Sequence, residues 1–147
     1  MKIEYADTEI IRSSEGFSTC AYLCSAGKPT ISYGLCGPDI TLGVVWTKEK
    51  CESEFMKRID EYCVKLDRML PSNITKNKYI ACLSLAWNIG LGAFAASTLL
   101  KHLKLGDWGS SAECFLQWDK ITVNGKKIMS KGLHERRKKE QALFLKG

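Results

Sequence analysis

Residues 15–34 read EGFSTCAYLCSAGKPTISYG, a stretch in which Glu15 is followed nine residues later by Cys24 and six residues after that by Thr30. Gly16 allows a preceding helix to end. The Thr, Ser, Tyr and Val residues and the Gly-Pro turns of 17–45 predict a small antiparallel sheet with tight turns. Taken alone, Cys24 is open to four interpretations: a buried hydrophobe, half of a disulfide, a metal ligand or a reacting group.

The segments around this sheet are predicted to be helical. A short helix covers 6–15, and a long one covers about 47–70, capped by Thr47 and ended by Pro71. Further helices are expected from Thr75 and over 97–105, 107–119 and 132–145. The long helix carries an apolar stripe at spacings of three or four residues, formed by Cys51, Phe55, Ile59, Tyr62, Leu66 and Leu70. The pattern predicts an α+β chain.

Length and composition favour one soluble domain. The chain has 147 residues, of which 45% are hydrophobic and 26% charged, which argues against disorder. Residues 79–100 lack charge, but Asn88 and two glycines interrupt them, so we expect two buried helices and no stable membrane insertion. No secretory signal is apparent at the N-terminus.

The basic charge is concentrated near the C-terminus. The formal net charge is +6, and residues 126–140 hold seven Lys or Arg and two Glu. Such a block favours an anionic partner: nucleic acid, acidic lipid or bacterial cell wall. The alternative is a solvated helix face. No nucleic-acid-binding motif accompanies the block, so we expect no nucleic acid partner.

Seven cysteines cannot all pair within one chain, and mostly reduced thiols are expected. Cys20, Cys24 and Cys36 lack the paired short spacings of structural zinc sites. We therefore predict neither a metal nor a cofactor.

Three segments, in order along the chain, resemble the phage-type lysozymes of glycoside hydrolase family 24. The first is residues 15–34, where the family has Glu, then Asp or sometimes Cys, then Thr, then Tyr-Gly. The second is LAWNIGLGAFAASTLLKHLKLGD, residues 85–107, and the third is GLHERRKKEQALFL, residues 132–145. The resemblance implies one lysozyme domain over 1–147: a β lobe at about 16–46, a linking helix at about 47–70, and a helical lobe of about 71–147 plus the N-terminal helix.

The resemblance implies that Glu15, Cys24 and Thr30 are catalytic. Glycoside hydrolysis needs an acid to protonate the leaving oxygen and a group on the other face of the sugar to activate water or to attack. Glu15 suits the acid, and Thr30 could hydrogen-bond a water. Cys24 could be base or nucleophile, since a thiolate reacts, or a relic in a decayed enzyme. The family implies inversion of configuration. A regulatory disulfide from Cys24 to Cys20 or Cys36 is a further hypothesis.

Four other residues are predicted to support the site. The family pairs its catalytic Glu with an Arg near the start of the last helix, which is Arg136 or Arg137 here. Tyr33 and Asn88 are cleft or structural residues. Ser32 departs from the family, which often has Gly at this place.

The function implied is that of an endolysin: a muramidase that cuts the β-1,4 bond between N-acetylmuramic acid and N-acetylglucosamine in peptidoglycan and lyses the host. A monomer is expected, held in the host cytoplasm until a holin-type pore formed by another protein releases it to the wall. Export by an N-terminal anchor outside this chain is the alternative route. The alternative function is a catalytically impaired peptidoglycan-binding protein, and a third option is a nucleic-acid-binding module using residues 126–140.

Overall fold

The computed structural model describes every residue from Met1 to Gly147. It contains seven α-helices and two antiparallel strand pairs. In chain order the elements are α1 Glu9–Glu15, β1 Ser18–Leu23, β2 Pro29–Ser32, α2 Lys48–Met69, α3 Lys76–Ile89, α4 Leu91–Ala95, α5 Thr98–Lys104, α6 Trp108–Cys114, β3 Lys120–Val123, β4 Lys126–Met129 and α7 Lys131–Leu145. Short 3-10 turns precede α1 at Tyr5–Thr8 and follow α6 at Phe115–Trp118.

The chain divides into two compact units, and the boundary falls inside α2. The N-terminal unit is Ile3–Glu61, and the C-terminal unit is Tyr62–Gly147 with Met1–Lys2. Helix α1 belongs to the same unit as the β1–β2 sheet, whereas the sequence-based division placed the N-terminal helix with the helical lobe. The α+β class is confirmed.

Helix α2 follows its sequence pattern closely. The Thr47 hydroxyl accepts a hydrogen bond from the Lys50 amide at 3.1 Å, so the predicted cap is present. The predicted apolar stripe is inside the protein: four of its side chains are fully buried, Leu70 is 8% exposed, and Tyr62 is half-buried. The Tyr62 ring lies 4.9 Å from that of Trp87 within the C-terminal unit.

The uncharged residues 79–100 lie in three helices, one more than predicted, because a short α4 separates α3 from α5. Gly90, with φ of +94°, ends α3 and starts α4, and the Ser97 hydroxyl caps α5 by accepting from the Leu100 amide. None of the helices combines the length and the apolar character that a membrane span requires.

Helix α7 packs on α3 through buried charges. Glu140 is fully buried, and its carboxylate lies 2.7 Å from Arg137 Nε and 3.3 Å from Arg136 Nε. Ser84 of α3 donates its hydroxyl to the same carboxylate, and its carbonyl accepts from Arg136 Nη2 at 3.3 Å. Because a buried charge must be paired and hydrogen-bonded, this cluster fixes α7 in one position on α3.

We predict that Glu140→Gln lowers the free energy of unfolding by about 3–5 kcal/mol, because it leaves two buried guanidinium groups without their carboxylate. Urea unfolding followed by circular dichroism measures the change. Glu135→Gln is the matched control, since Glu135 is exposed on the same helix; it should change stability by no more than about 0.5 kcal/mol. Equal midpoints for both variants would contradict the role of the cluster.

Candidate active site

Pairing of β1 with β2 places Cys24 beside Thr30. Tyr22 pairs opposite Thr30 and Leu23 opposite Pro29. Side chains alternate along a strand, so Cys24, two residues after Tyr22, points to the same face as Tyr22 and Thr30. The Cys24 amide donates to the Lys28 carbonyl at 3.0 Å and closes the hairpin. The spacing of six residues between Cys24 and Thr30 is thus the spacing of a short hairpin.

Hydrogen bonds to the sulfur lower the pKa of the Cys24 thiol. The largest contribution comes from the Lys28 backbone N–H, followed by the Thr30 hydroxyl and the Ala26 backbone N–H. The Thr30 hydroxyl is itself 2.9 Å from the Lys28 carbonyl, so it lies within reach of two acceptors. Donors of this kind favour the charged form of an acid. A half-buried thiol with a lowered pKa has the character of a reactive cysteine.

Three other cysteines have the opposite environment. Burial raises the pKa of the thiols of Cys51, Cys82 and Cys114, which favours the inert protonated form. All seven cysteines are free thiols in the structure, so neither hypothetical disulfide of Cys24 is present. The structure therefore separates Cys24 chemically from the buried cysteines of the core.

The chain after β2 makes a tight turn that ends at Leu35. Ile31 and Leu35 exchange two backbone hydrogen bonds of 2.8 Å, which enclose only three residues. Such a turn requires left-handed backbone, and φ is +60° at Ser32 and +80° at Gly34. Ser32 is buried and donates its hydroxyl to the Cys51 carbonyl at 2.8 Å. The backbone at position 32 ordinarily favours glycine. The serine found here instead adds a hydrogen bond to α2.

Glu15 is the last residue of α1, and its carboxylate lies against this turn. Gly16, with φ of +72°, takes the chain out of the helix directly after it. A methyl group on Gly34 would stand 2.8 Å from Glu15 Oε2, which is closer than van der Waals contact permits. The turn that the Glu15 carboxylate contacts begins one residue after Thr30. One segment of chain, residues 30–35, therefore carries Thr30 and also borders Glu15.

Tyr33 holds the turn from the side of the core. Its ring lies 4.8 Å from that of Phe17 and 4.9 Å from that of Phe55, and its hydroxyl is 3.0 Å from the Tyr5 hydroxyl. Tyr5 in turn donates to Glu52 at 3.4 Å. Burial, together with the hydrogen bond to Tyr33, raises the pKa of Tyr5 to about 12. Sequence reasoning missed Tyr5 and Glu52, because no local pattern connects them to the turn.

Asn88, Arg136 and Arg137 belong to the C-terminal unit. Arg137 Nη1 donates to Asn88 Oδ1 at 3.0 Å and to the Trp118 carbonyl at 3.3 Å, in addition to the ion pairs with Glu140. Arg136 and Arg137 are buried, so the interpretation of residues 126–140 as a solvated face is wrong for these two. The five lysines of the block are exposed: Lys126, Lys127, Lys131, Lys138 and Lys139. Pairing of an arginine with Glu15 stays a prediction.

No group of three or more His, Cys, Asp or Glu side chains is placed to hold a metal ion. The three residues predicted to be catalytic offer a carboxyl, a thiol and a hydroxyl.

Comparison with known proteins identifies the family. The profile of the phage lysozyme family matches residues 12–140. The chain belongs to the phage lysozyme family. It is 38% identical over 144 residues to an endolysin of Acyrthosiphon pisum secondary endosymbiont phage 1, with 98% of each chain covered. It is 36% identical over 149 residues to an endolysin of Bacillus phage B103, of which it spans 55%.

The solved structures agree with the sequence relatives. The endolysin from Escherichia coli O157:H7 phage FAHEc1 superimposes with a TM-score of 0.90 at 32% identity, over 99% of this chain and 94% of that one. Membership of the lysozyme family makes this chain a glycosidase that acts on peptidoglycan. A catalytically impaired binding protein is not favoured.

We predict that Gly34→Ala lowers the turnover of this lysozyme, because the added methyl group displaces the Glu15 carboxylate. Gly43→Ala is the matched control: Gly43 has φ of +95° in the same unit, but nothing lies within 4 Å of an added methyl group. Both variants should lose about 1–2 kcal/mol of stability through left-handed strain, and only Gly34→Ala should lose activity. Reducing-sugar release from peptidoglycan and thermal unfolding measure the two effects. Equal kcat values would rule out the proposed control of Glu15 by the turn.

Proposed function

We propose that this lysozyme hydrolyses the β-1,4 bond between N-acetylmuramic acid and N-acetylglucosamine, with Glu15, Cys24 and Thr30 as its catalytic residues. The observation that carries the proposal is the contact of the Cys24 thiol with the Thr30 hydroxyl and with backbone N–H groups, which lowers its pKa. These hydrogen bonds favour the thiolate, which is the form of the side chain that can accept a proton.

The proposed reaction is a single displacement. Protonated Glu15 donates its proton to the glycosidic oxygen as the bond from that oxygen to the anomeric carbon breaks. A water molecule attacks the anomeric carbon from the opposite face, and the Cys24 thiolate accepts the proton that this water loses. The sugar is released with inverted configuration. Cys24 then loses its proton to solvent and Glu15 takes one up from solvent, which restores the starting state. Two groups with separate environments can divide acid and base roles in this way.

Thr30 supports the base role of Cys24 over the nucleophile role. The Thr30 hydroxyl lies beside the sulfur and is an acceptor and donor suited to a water molecule. A water that donates one hydrogen bond to the Thr30 oxygen and one to the thiolate would be oriented for attack, whereas a sulfur attacking the sugar directly would take the place of that water. A nucleophilic cysteine would give a retained product, so the anomeric configuration of the first product distinguishes the two roles.

We predict that Cys24→Ala and Glu15→Gln each lower kcat by about 10²–10⁴-fold, the usual contribution of a general base or acid. The measurement is reducing-sugar release from purified peptidoglycan in the presence of a reductant. Cys20→Ala is the control, because Cys20 is an exposed thiol in the same unit. Full turnover by Cys24→Ala would refute the assignment of this residue while leaving the enzyme class intact.

We predict that Cys24→Asp keeps activity and shifts the acidic limb of the pH–rate profile to lower pH. A base must be ionised, so activity falls as pH drops through its pKa. A free thiol has a pKa of about 8.5 and a free aspartate about 3.9. The hydrogen-bond donors that lower the pKa of Cys24 act in the same direction on an aspartate at this position. Cys24→Asp should also resist iodoacetamide, which alkylates thiolates.

Thr30→Val also tests whether Cys24 is the base, because it should shift the acidic limb of the pH–rate profile in the direction opposite to Cys24→Asp. Loss of the hydroxyl removes a hydrogen bond that lowers the pKa of Cys24, so the acidic limb should move to higher pH. Thr30→Ser, which keeps the hydroxyl, should leave the limb in place. If the acidic limb of the pH–rate profile stays in place in both Cys24→Asp and Thr30→Val, the ionisation of Cys24 does not control catalysis.

The site and its family support a role in host lysis by a monomer. All three proposed catalytic residues belong to the N-terminal unit of one chain, so a second copy is not required. The family acts on the bacterial cell wall. We propose that the protein collects in the host cytoplasm and reaches the wall through a pore made by another protein; an anchor outside this chain is the alternative route.

A further inference from the structure

The hairpin formed by β3 and β4 has no covering element on either face. Every residue from Lys120 to Met129 is exposed, including four aliphatic side chains that are 40–56% exposed: Ile121, Val123, Ile128 and Met129. Its sheet has only two strands. An isolated two-stranded hairpin has marginal stability in water, and exposed apolar side chains do not add to that stability. The proposed catalytic chemistry does not explain why this hairpin exposes four of them.

The register of the hairpin separates two kinds of side chain. Ile121 pairs with Ile128 and Val123 with Lys126, whereas Lys120 pairs with Met129 and Thr122 with Lys127. Opposite residues share a face of a sheet, and faces alternate along each strand. One face is therefore aliphatic with a lysine at its tip. The other carries two lysines, a threonine and a methionine.

The charge of the hairpin is of one sign. Residues 120–131 contain four lysines and no acidic residue. Lys120 is paired with the Asp119 carboxylate at 2.8 Å, and no ion pair is present at Lys126, Lys127 or Lys131. The three remaining ammonium groups can meet an anionic surface without first giving up a partner.

The hairpin is firmly connected at its base and tip. Asn124 and Gly125, with φ of +51° and +77°, make the tight turn. At the base, the Ser130 amide donates to the Asp119 carbonyl at 2.7 Å, and the Asp119 carboxylate lies 3.0 Å from His134 Nδ1. The exposed side chains are thus presented on a defined ribbon that needs little ordering when a partner binds.

We propose that this hairpin binds the surface of an anionic phospholipid bilayer. Aliphatic side chains can enter the boundary between headgroups and acyl chains while the lysines contact lipid phosphates. A glycan partner is disfavoured because the ribbon has no aromatic ring for stacking on a sugar and few side chains that hydrogen-bond hydroxyl groups. A nucleic acid would pair with the lysines but leave Ile121 and Ile128 in water. The lipid surface satisfies both features.

The test measures co-sedimentation of the full chain with large unilamellar vesicles. Wild type should bind vesicles containing phosphatidylglycerol and phosphatidylethanolamine, and should not bind phosphatidylcholine vesicles. Each lysine at an anionic surface contributes about fivefold, so Lys126→Gln with Lys127→Gln should weaken binding by about 30-fold. Ile121→Ser with Ile128→Ser should weaken it by about tenfold or more. Hydrolysis of membrane-free peptidoglycan should be unchanged in both.

Two control pairs match these variants in chemistry. Lys101→Gln with Lys104→Gln removes the same charge from exposed positions on α5, and Leu105→Ser with Leu145→Ser removes exposed aliphatic side chains elsewhere in the C-terminal unit. Both should bind vesicles as wild type does. Circular dichroism and thermal midpoints establish that each variant is folded.

Three results would overturn the proposal. If the wild-type protein does not bind anionic vesicles, the proposal is wrong. Equal losses in the hairpin and control variants show that net charge or general hydrophobicity acts, not the hairpin. Loss of peptidoglycan hydrolysis in the hairpin variants, without a change in vesicle binding, assigns the ribbon to the glycan instead. None of these outcomes bears on the roles of Glu15 and Cys24.

Discussion

The pairing of β1 with β2 is the constraint on which the proposed catalytic apparatus depends. Tyr22 opposite Thr30 fixes which face of the hairpin Cys24 occupies, and a slip by one residue would turn the thiol away from the hydroxyl. The same strand continues into the turn at 31–35, whose Gly34 lies against Glu15. One register therefore sets the positions of all three groups.

Glu140 and Cys24 have different kinds of partner. In the C-terminal unit the Glu140 carboxylate is buried against two guanidinium groups, and it serves to fix α7 on α3. At Cys24 the interactions that lower the pKa are hydrogen bonds from neutral donors. Pairing with a full charge would stabilise a thiolate more strongly but would also weaken it as a base. Neutral donors leave the thiolate able to take up a proton during the reaction.

Local signals accounted for much of the fold. The stripe of α2, the caps at Thr47 and Ser97 and the end of α1 at Gly16 all follow from neighbouring residues, and the structure confirms them. The β3–β4 hairpin was missed because the lysines of 126–140 were interpreted as one block, although Asn124-Gly125 between alternating apolar residues is a strong hairpin signal.

Other features depend on distances that a linear sequence does not contain. The burial of Arg136 and Arg137 depends on the packing of α7 on α3, where Ser84 contacts both Arg136 and the Glu140 carboxylate. The approach of Gly34 to Glu15 is a tertiary contact between residues nineteen positions apart. Family resemblance indicated the spacing of Glu15, Cys24 and Thr30, but only the hairpin explains why six residues bring the thiol to the hydroxyl.

With Cys24 in the role proposed above, the distribution of the seven thiols means that a folded sample need not be an active one. The buried cysteines belong to the core, whereas Cys24 is half-buried, with Cys20 and Cys36 exposed in the same unit. Adventitious oxidation in air would begin at the accessible thiols and leave the packing of the core unchanged. Far-UV spectra and melting curves would then report intact protein after catalysis had been lost. Under the proposed mechanism, specific activity is therefore referred to the titrated Cys24 thiol rather than to protein concentration.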